Sequence, residues 1–447
     1  MSGAAPAPGW RPWVMWGIPT GLFCVAFFHR TAPGVIAKEL MQDFGATGAI
    51  VGLLSATYFW AYAGLMVPAG LLIDAFGVPR VVAAGGAVMG LGTLAMAAAG
   101  TAPILFVGRL FVGLGAAVTF VGALKIAATW FPPARFGTLS AVTATVGLFG
   151  SLLGTLPLAA LVALTGWRGA FWLVGLLTLA VAAACLAVVR DRPGPAPLPR
   201  FGDVLRGTGT VLANPHTWPP FLAFFFLIAA SSNLWLWVVP YLRDVYALST
   251  TDAAAYATAP SLAVLVAGPL TGFLSDRVIH RRKLPYVLLN LGLFISWVVL
   301  VGTLGGLPLG AVYALFFAMG LVGAGFVLTW PIGREVNPPH LAGIAVAVVN
   351  MGGFLGAALS QGVVGAVLDA RWQGALLAGA RVYPVAAYRT AFALCAVFVL
   401  ASTLTTLFLR ETRGRNVYGR GPAAGQPRPE PGGPVESSNP LKTEERL

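Results

Sequence analysis

Apolar runs about 20 residues long recur along the chain, separated by short segments that hold most of its charge. A run of that length crosses a hydrocarbon core of roughly 30 Å as an α-helix. Strands of a membrane barrel would be half as long and would alternate apolar with polar positions, which these runs do not. The pattern predicts twelve spans, at residues 14–38, 49–73, 80–100, 103–128, 136–164, 168–190, 218–242, 253–275, 284–304, 308–330, 341–368 and 386–409. The expected fold is an all-α membrane protein of twelve transmembrane helices, and an even count puts both termini on one side.

Composition agrees. Of 447 residues, 57% are hydrophobic and 10% charged, and the mean hydropathy is +0.82, far outside the range of soluble domains. The basic residues assign the sides. With cytoplasmic termini, the inner loops hold Arg80, Arg135, Arg190, Arg192, Arg200, Arg206, Arg277, Arg281, Arg282, Lys283 and Arg334, whereas the outer loops hold few, among them Lys38, Arg168 and Arg243. The expected location is the cell membrane, and the net charge of +13 follows from topology without a nucleic-acid partner. Cys24, Cys185 and Cys395 fall in separate spans and read as small buried hydrophobes, not as a disulfide or metal site. No cleavable leader pattern is evident, so the first span is expected to stay in the protein.

The segment "RDRPGPAPLPRFGDVLRGTGTVLANPHTW" interrupts the apolar pattern with proline, glycine and arginine, as a linker does. The expected division is an N-terminal six-helix bundle (1–190), a cytoplasmic linker (191–217), a C-terminal six-helix bundle (218–410) and a disordered tail (411–447). The two bundles repeat one another. "GLLIDAFGVPR" follows the second span and "GFLSDRVIHRRK" the eighth, with glycine, leucine and aspartate at the same spacing. "FPPARFGTLSAVTATVGLFGSLLG" at the fifth span parallels "NPPHLAGIAVAVVNMGGFLGAALS" at the eleventh, pairing Pro132 and Pro133 with Pro338 and Pro339, Gly137 with Gly343 and Gly147 with Gly353. A repeated six-helix half points to a transporter with a central site.

These features, with "GRLFVGLGAA" in the fourth span, resemble the major facilitator superfamily of secondary transporters over about residues 10–410. "HRTAPGVIAKELMQDFG", "SATYFWAYAGLMVPAGLLIDAFG" and "GALKIAATWFPPARFGTLSA" are similar to its organic-anion and sugar-phosphate permease branch. The resemblance implies alternating access, two pseudo-symmetric bundles rocking about a site lined mainly by spans one, four, seven and ten. It also gives Arg109 the place of the family's span-four arginine, often conformational or linked to proton coupling. Unlike the phosphate-transporting relatives, span seven has no mid-helix arginine.

The candidate chemistry lies in charges that lipid does not tolerate. An arginine or lysine at mid-membrane depth costs from about 2.5 kcal/mol upward, so it faces a cavity or a partner. Arg30, Arg109 and Lys125 are such residues, and none of the fifteen acidic residues falls in the middle of a span. Arg30 and Arg109 come at comparable depth, about 24 Å from the inner end of span one and about 9 Å from the outer end of span four. Arginine's forked donors match carboxylate and phosphate oxygens, so the expected substrate is a small organic anion, carboxylate or phosphate ester. Snorkelling or backbone bonding is the competing role for Arg30, and for Lys125 it is snorkelling to the cytoplasmic interface.

Tyr58 and Tyr62 share one helical face of span two. Asn233, Trp235 and Tyr241 in span seven are candidates for neutral substrate contacts, with Ser231 beside them. His29 is a proton-coupling candidate, or else a packed histidine bonding a neighbouring helix. Asp74 with Arg80, and Asp276 with Arg277, are expected to act in gating at helix ends, although Ala75, Val78 and Ile279 depart from the family pattern. No phosphate-binding G-x-x-x-x-G-K-[ST] loop, metal cluster or catalytic triad is present, so neither ATP hydrolysis, a cofactor nor an enzyme activity is expected. Coupling options are anion exchange, proton symport through His29 or facilitation. The alternative function is a proton-coupled exporter of hydrophobic, drug-like compounds, suggested by Arg109 and the glycine-rich fifth span; a membrane receptor lacks a signalling domain.

Overall fold

The computed structural model describes residues 9–132, 135–192 and 201–419. In the N-terminal half, α1 (Arg11–Val35) is the first crossing, followed by the short amphipathic α2 (Ala37–Phe44), α3 (Gly48–Phe76) and α4 (Val78–Ala97). The fourth crossing is built from α5 (Ala102–Ala117) and α6 (Thr119–Trp130), separated at Val118. Next come α7 (Phe136–Leu153) and α8 (Leu156–Val188). Together they form an apolar stretch of 53 residues, about 80 Å at 1.5 Å per residue and so long enough for two crossings. The chain turns back at Gly166, whose φ of 70° and ψ of 164° is a conformation open to glycine and strained for other residues. Dividing this stretch turns eleven apolar segments into twelve crossings.

The linker region holds α9 (Phe201–Ala213). It packs on the C-terminal half, where Val211 is buried with Phe221, Ala345 and Val348. The second half then runs through α10 (Trp218–Tyr246), α11 (Thr250–Phe273) with a closing π turn, α12 (Lys283–Thr303), α13 (Leu309–Gly323), α14 (Thr329–Glu335), α15 (Ala342–Ala370) and α16 (Val385–Thr406). Between α15 and α16 a two-stranded hairpin, β1 (Leu376–Leu377) and β2 (Ala380–Arg381), pairs antiparallel. Spans three to twelve lie within a few residues of the expected boundaries; the first ends earlier because Ile36 breaks from α1 into α2.

Two expectations need revision. The segment from 411 is not all tail: the Glu411 carboxylate accepts from Arg282 N at 2.8 Å, Val417 N donates to Glu335 O at 2.8 Å and Asn416 Nδ2 to Asn337 O at 2.8 Å. Those bonds satisfy polar groups at the start of the ninth crossing and the end of the tenth, which composition alone does not reveal. The linker likewise contains a packed helix. Residues 420–447, Arg200 and Pro133 lie outside the described residues.

The repeat seen in the sequence is a repeat of helix contacts. A methyl group on Gly150 would run into the carbonyl of Cys24, and one on Gly356 into the carbonyl of Phe225. Gly113 meets Tyr58 O and the Ala61 methyl, and Gly320 meets Pro260 O and the Ala263 methyl in the same way. Small residues let these backbones approach closely, the usual basis of packing in lipid, where apolar surface alone gives no drive to associate. Replacing Gly356 by valine forces α15 off α10 and is expected to cost about 1–3 kcal/mol. Gly17→Ala, at a site with open space around it, is expected to leave the thermal midpoint of the purified protein within a degree or two, whereas Gly356→Val lowers it by several.

Candidate functional site

Arg30 lies five residues before the end of α1, one turn before the point where α1 meets α10. There Gly34 approaches the backbone of Trp235 and Leu236, with the Leu236 carbonyl 3.0 Å from where a Cβ would stand. The half-buried Arg30 guanidinium rests 3.7 Å from the Phe27 ring centre, 5.2 Å from Tyr62 and 5.0 Å from Phe354, and its Nε donates to Tyr58 Oη at 3.4 Å. Tyr62 and Phe354 stack at 4.3 Å with planes 8° apart, so this box is closed by one ring from each half of the protein. Such faces attract a cation by about 0.5–2 kcal/mol each. They hold the charge without neutralising it, and among the described residues no carboxylate pairs with Arg30.

Arg109 is fully buried beside the same tyrosine, 4.9 Å from the Tyr58 ring centre, and its Nε and both terminal nitrogens have no protein acceptor. His29 is fully buried close by. Its Nε2 meets Thr93 Oγ1 at 3.1 Å. Since the Thr93 hydroxyl donates to Met89 O at 2.8 Å, it accepts from His29, which places the imidazole proton on Nε2 and leaves Nδ1 as a bare acceptor. This is the packed geometry of a histidine tied to a neighbouring helix. Arg30, Tyr58, Tyr62 and Arg109 are thus brought together as the sequence suggests. Phe27, Phe354 and, one turn from Phe354, Asn350 with Trp330 bonded to it at 3.0 Å were not expected. Phe27 has a signal in adjacency, three residues before Arg30; Phe354 has none, since it lies across α15 from Gly353 and Gly356, which meet α10, and faces α3.

Other candidates stand elsewhere. Lys125 pairs with Asp74, both about a third exposed, so its charge is met by the protein. Asn233 bonds Ala229 O at 2.7 Å and Ser360 Oγ at 2.9 Å, joining α10 to α15. Tyr241 sits in an aromatic cluster with Tyr388 at 5.3 Å and Phe392 at 5.7 Å. Trp235 and Ser231 line a recess inside the C-terminal half. Asp276 pairs with Arg282 and not with Arg277, which is exposed; Arg282 also reaches Glu335 at 3.3 Å. Arg80 is exposed as well, while Asp74, with which it was expected to act, pairs with Lys125, and the start of α4 is held by Asp191, which accepts from Val78 N at 3.2 Å. A side chain farther along the chain reaches each junction better than the neighbouring arginine.

The hydrogen bonds and ion pairs joining the two halves cluster at the end that carries α2 and the hairpin. Lys38, nearly fully buried, donates to Asp244 at 2.6 Å and to Arg381 O. Asp244 also accepts from Tyr383 N at 3.1 Å and Tyr388 Oη at 2.8 Å. Burial lowers the Lys38 pKa from its ordinary value, against the opposing pull of Asp244. Arg243 meets Glu39 at 2.8 Å, and Asp369 caps the start of α3 through Gly48 N at 2.9 Å and Ala49 N at 2.8 Å. This end is sealed. Removing one member of the buried pair, as in Lys38→Met or Asp244→Asn, is expected to destabilise the sealed state by about 3–5 kcal/mol. Thermal unfolding of the single and double variants checks this: the double variant recovers part of the loss.

A family model, Major Facilitator Superfamily, matches residues 20–361. The probable galactarate/D-glucarate transporter GudP of Bacillus subtilis is 24% identical over 81% of this chain and 88% of its own length. The probable sulfoacetate transporter SauU of Cupriavidus necator is 24% identical over 79% and 86%. The uncharacterized transporter YybO of Bacillus subtilis is 28% identical, with the match spanning 38% of this chain and 40% of that protein. Among solved structures, a bacterial homologue of the human lysosomal transporter Spinster, in an inward-facing and occupied conformation, superposes with a TM-score of 0.78 at 18% identity, over 90% of this chain and 97% of that one.

Proposed function

We propose that this chain, which belongs to the Major Facilitator Superfamily, carries a small organic anion across the membrane by alternating access, with Arg30 as its charge ligand. That it is a transporter and not an enzyme follows from the family and the relatives. The anion reading rests on one observation: a half-buried guanidinium in the outer part of the first span, held by aromatic faces and a tyrosine hydroxyl, with no carboxylate among the described residues to neutralise it. Galactarate, D-glucarate and sulfoacetate, named for two of the relatives, are all anions, which supports the substrate class without selecting a member.

An anion entering the box replaces the missing counter-charge, and Arg109 behind Tyr58 adds to the positive field it meets. Charges in a medium of low dielectric act at longer range than in water. Movement follows from the seal. With the basic loops on the cytoplasmic side, the sealed end faces outward, and the protein stands open toward the cytoplasm. To expose Arg30 outward, Lys38 must leave Asp244, and Asp369 must release α3. Anion exchange or facilitation fits this site better than a proton relay. Asp74, Asp276, Glu335 and Asp369 stand at helix ends or in ion pairs, and the His29 proton is committed to Thr93. Lys125 and the Asp74 it meets act in gating in this scheme, as do Asp276 and Arg282.

Ligand binding to the native state raises stability by mass action, so thermal shift across a panel of organic anions and cations is the direct test. Anions are expected to stabilise the wild type and to lose the effect in Arg30→Gln. Arg30→Lys keeps the charge without the fork and should retain a weakened response, and Lys125→Gln should respond as the wild type does. Equal stabilisation of Arg30→Gln, or stabilisation by cationic or neutral lipophiles alone, overturns the reading and favours the exporter. In proteoliposomes, unlabelled anion inside is expected to accelerate uptake of labelled anion if exchange operates.

A further inference from the structure

Between the aromatic box around Arg30 and the sealed end, α3 and α15 close on each other. Gly52 meets the carbonyl of Gln361, and Gly365 meets that of Gly48. Phe59 and Tyr62 stand 6.3 and 4.3 Å from Phe354 between ring centres. Ser55 comes three residues after Gly52 and four before Phe59, so it shares their helical face and is turned toward α15. It is seven residues from Tyr62 and seven from Gly48, about 10 Å each way, midway between box and seal. Gln361 occupies the matching step of α15, seven residues from Phe354 and eight from Asp369. Ser232 completes the set: it precedes Leu236 by one turn on α10, as Arg30 precedes Gly34 on α1, and Gly34 lies against the Leu236 backbone.

These three side chains are fully buried, and each keeps a polar atom with no partner among the described residues: Ser55 Oγ, Ser232 Oγ and Gln361 Oε1. A serine in a helix has a ready acceptor in the carbonyl four residues earlier, and Ser140 and Ser296 take it at 2.8 Å. Ser55 and Ser232 do not. Gln361 has one bond, from its Nε2 to Ser232 O at 3.3 Å. A buried polar atom left unpaired opposes the arrangement that buries it, and an apolar side chain would fill the same space without that penalty. The unpaired atoms therefore work against the closed contact of α3 and α10 with α15, and water entering there satisfies them.

We propose that Ser55, Ser232 and Gln361 line the route by which the anion reaches Arg30 from the outer side, and that their unmet polar groups bias the protein toward opening that side. This rests on the anion-carrier reading and adds to it the path and the residues that line it. Hydroxyl and amide N–H groups donate to a passing carboxylate without the full charge that would hold it. Neither α3 between Gly48 and Tyr62 nor α15 between Phe354 and Leu368 carries an acidic residue, so no charge on those stretches repels it.

The test uses the full-length protein in oriented proteoliposomes, with Cys24, Cys185 and Cys395 replaced by alanine and single cysteines read by a charged, membrane-impermeant thiol reagent added outside. Ser55→Cys and Gln361→Cys are expected to react, and Trp60→Cys, on an exposed face of the same α3, to stay unlabelled. Gln361→Met keeps the volume and removes the amide. It should raise the melting midpoint and slow outside labelling of Arg30→Cys about tenfold, the population shift expected from removing one unpaired buried group, and Ser55→Ala should act in the same direction. A lower midpoint with unchanged labelling in both variants makes these residues structural and overturns the proposal. If Arg30→Cys is labelled from outside while Ser55→Cys and Gln361→Cys are not, the path runs elsewhere: the proposal falls and the carrier stands. If Arg30→Cys is never reached from outside, alternating access falls with it.

Discussion

An arginine held in the middle of a membrane protein without a carboxylate is the constraint around which the rest of this molecule is arranged. In water the charge would cost nothing; in the apolar interior it must be met by faces, hydroxyls or a ligand. Phe27, Tyr58, Tyr62 and Phe354 provide the faces and one hydroxyl. Because Phe354 comes from the other half of the protein, the environment of Arg30 is complete only while α3 and α15 remain together. A charge whose surroundings are shared between two moving bodies couples what binds it to how those bodies sit.

The bodies themselves are held by two kinds of contact with different physical character. Within each half, glycines allow backbone to touch backbone, as at Gly150 on α1 and Gly356 on α10. Such contacts are dense and do not change sign with a small displacement. Between the halves glycines also meet backbone, at Gly34, Gly52 and Gly365, but the sealed end adds the polar side chains of Lys38, Asp244, Glu39, Arg243 and Asp369. Those groups can exchange protein partners for water when the end opens, so the desolvation of a buried pair is partly recovered. In the proposed cycle, close-packed halves with an exchangeable seal favour two discrete arrangements over a continuum.

The internal repeat is conserved as geometry and broken as chemistry. Gly150 on Cys24 matches Gly356 on Phe225, and Gly113 on Tyr58 matches Gly320 on Pro260, yet in that alignment Arg30, Tyr58 and Arg109 fall opposite Ser231, Pro260 and Phe316. One half offers positive charge, the other an apolar wall.

Much of this was legible in the chain. Twelve crossings, the division into halves and the isolation of Arg30, Arg109 and Lys125 among apolar residues all follow from local composition and period, since lipid imposes its demands on each helix separately. That Tyr58 and Tyr62 share one helical face was readable from spacing; that the face meets Arg30 was not. Tertiary structure alone decided which charges find partners. Lys125 meets Asp74, 51 residues away, and Lys38 meets Asp244, 206 residues away. Asp276 passes over the adjacent Arg277 for Arg282, and Asn233 and Tyr241 turn from the site into helix packing. Periodicity specifies which face of a helix a residue occupies. What that face meets is set by how the helices are arranged, and for a buried charge the partner determines the role.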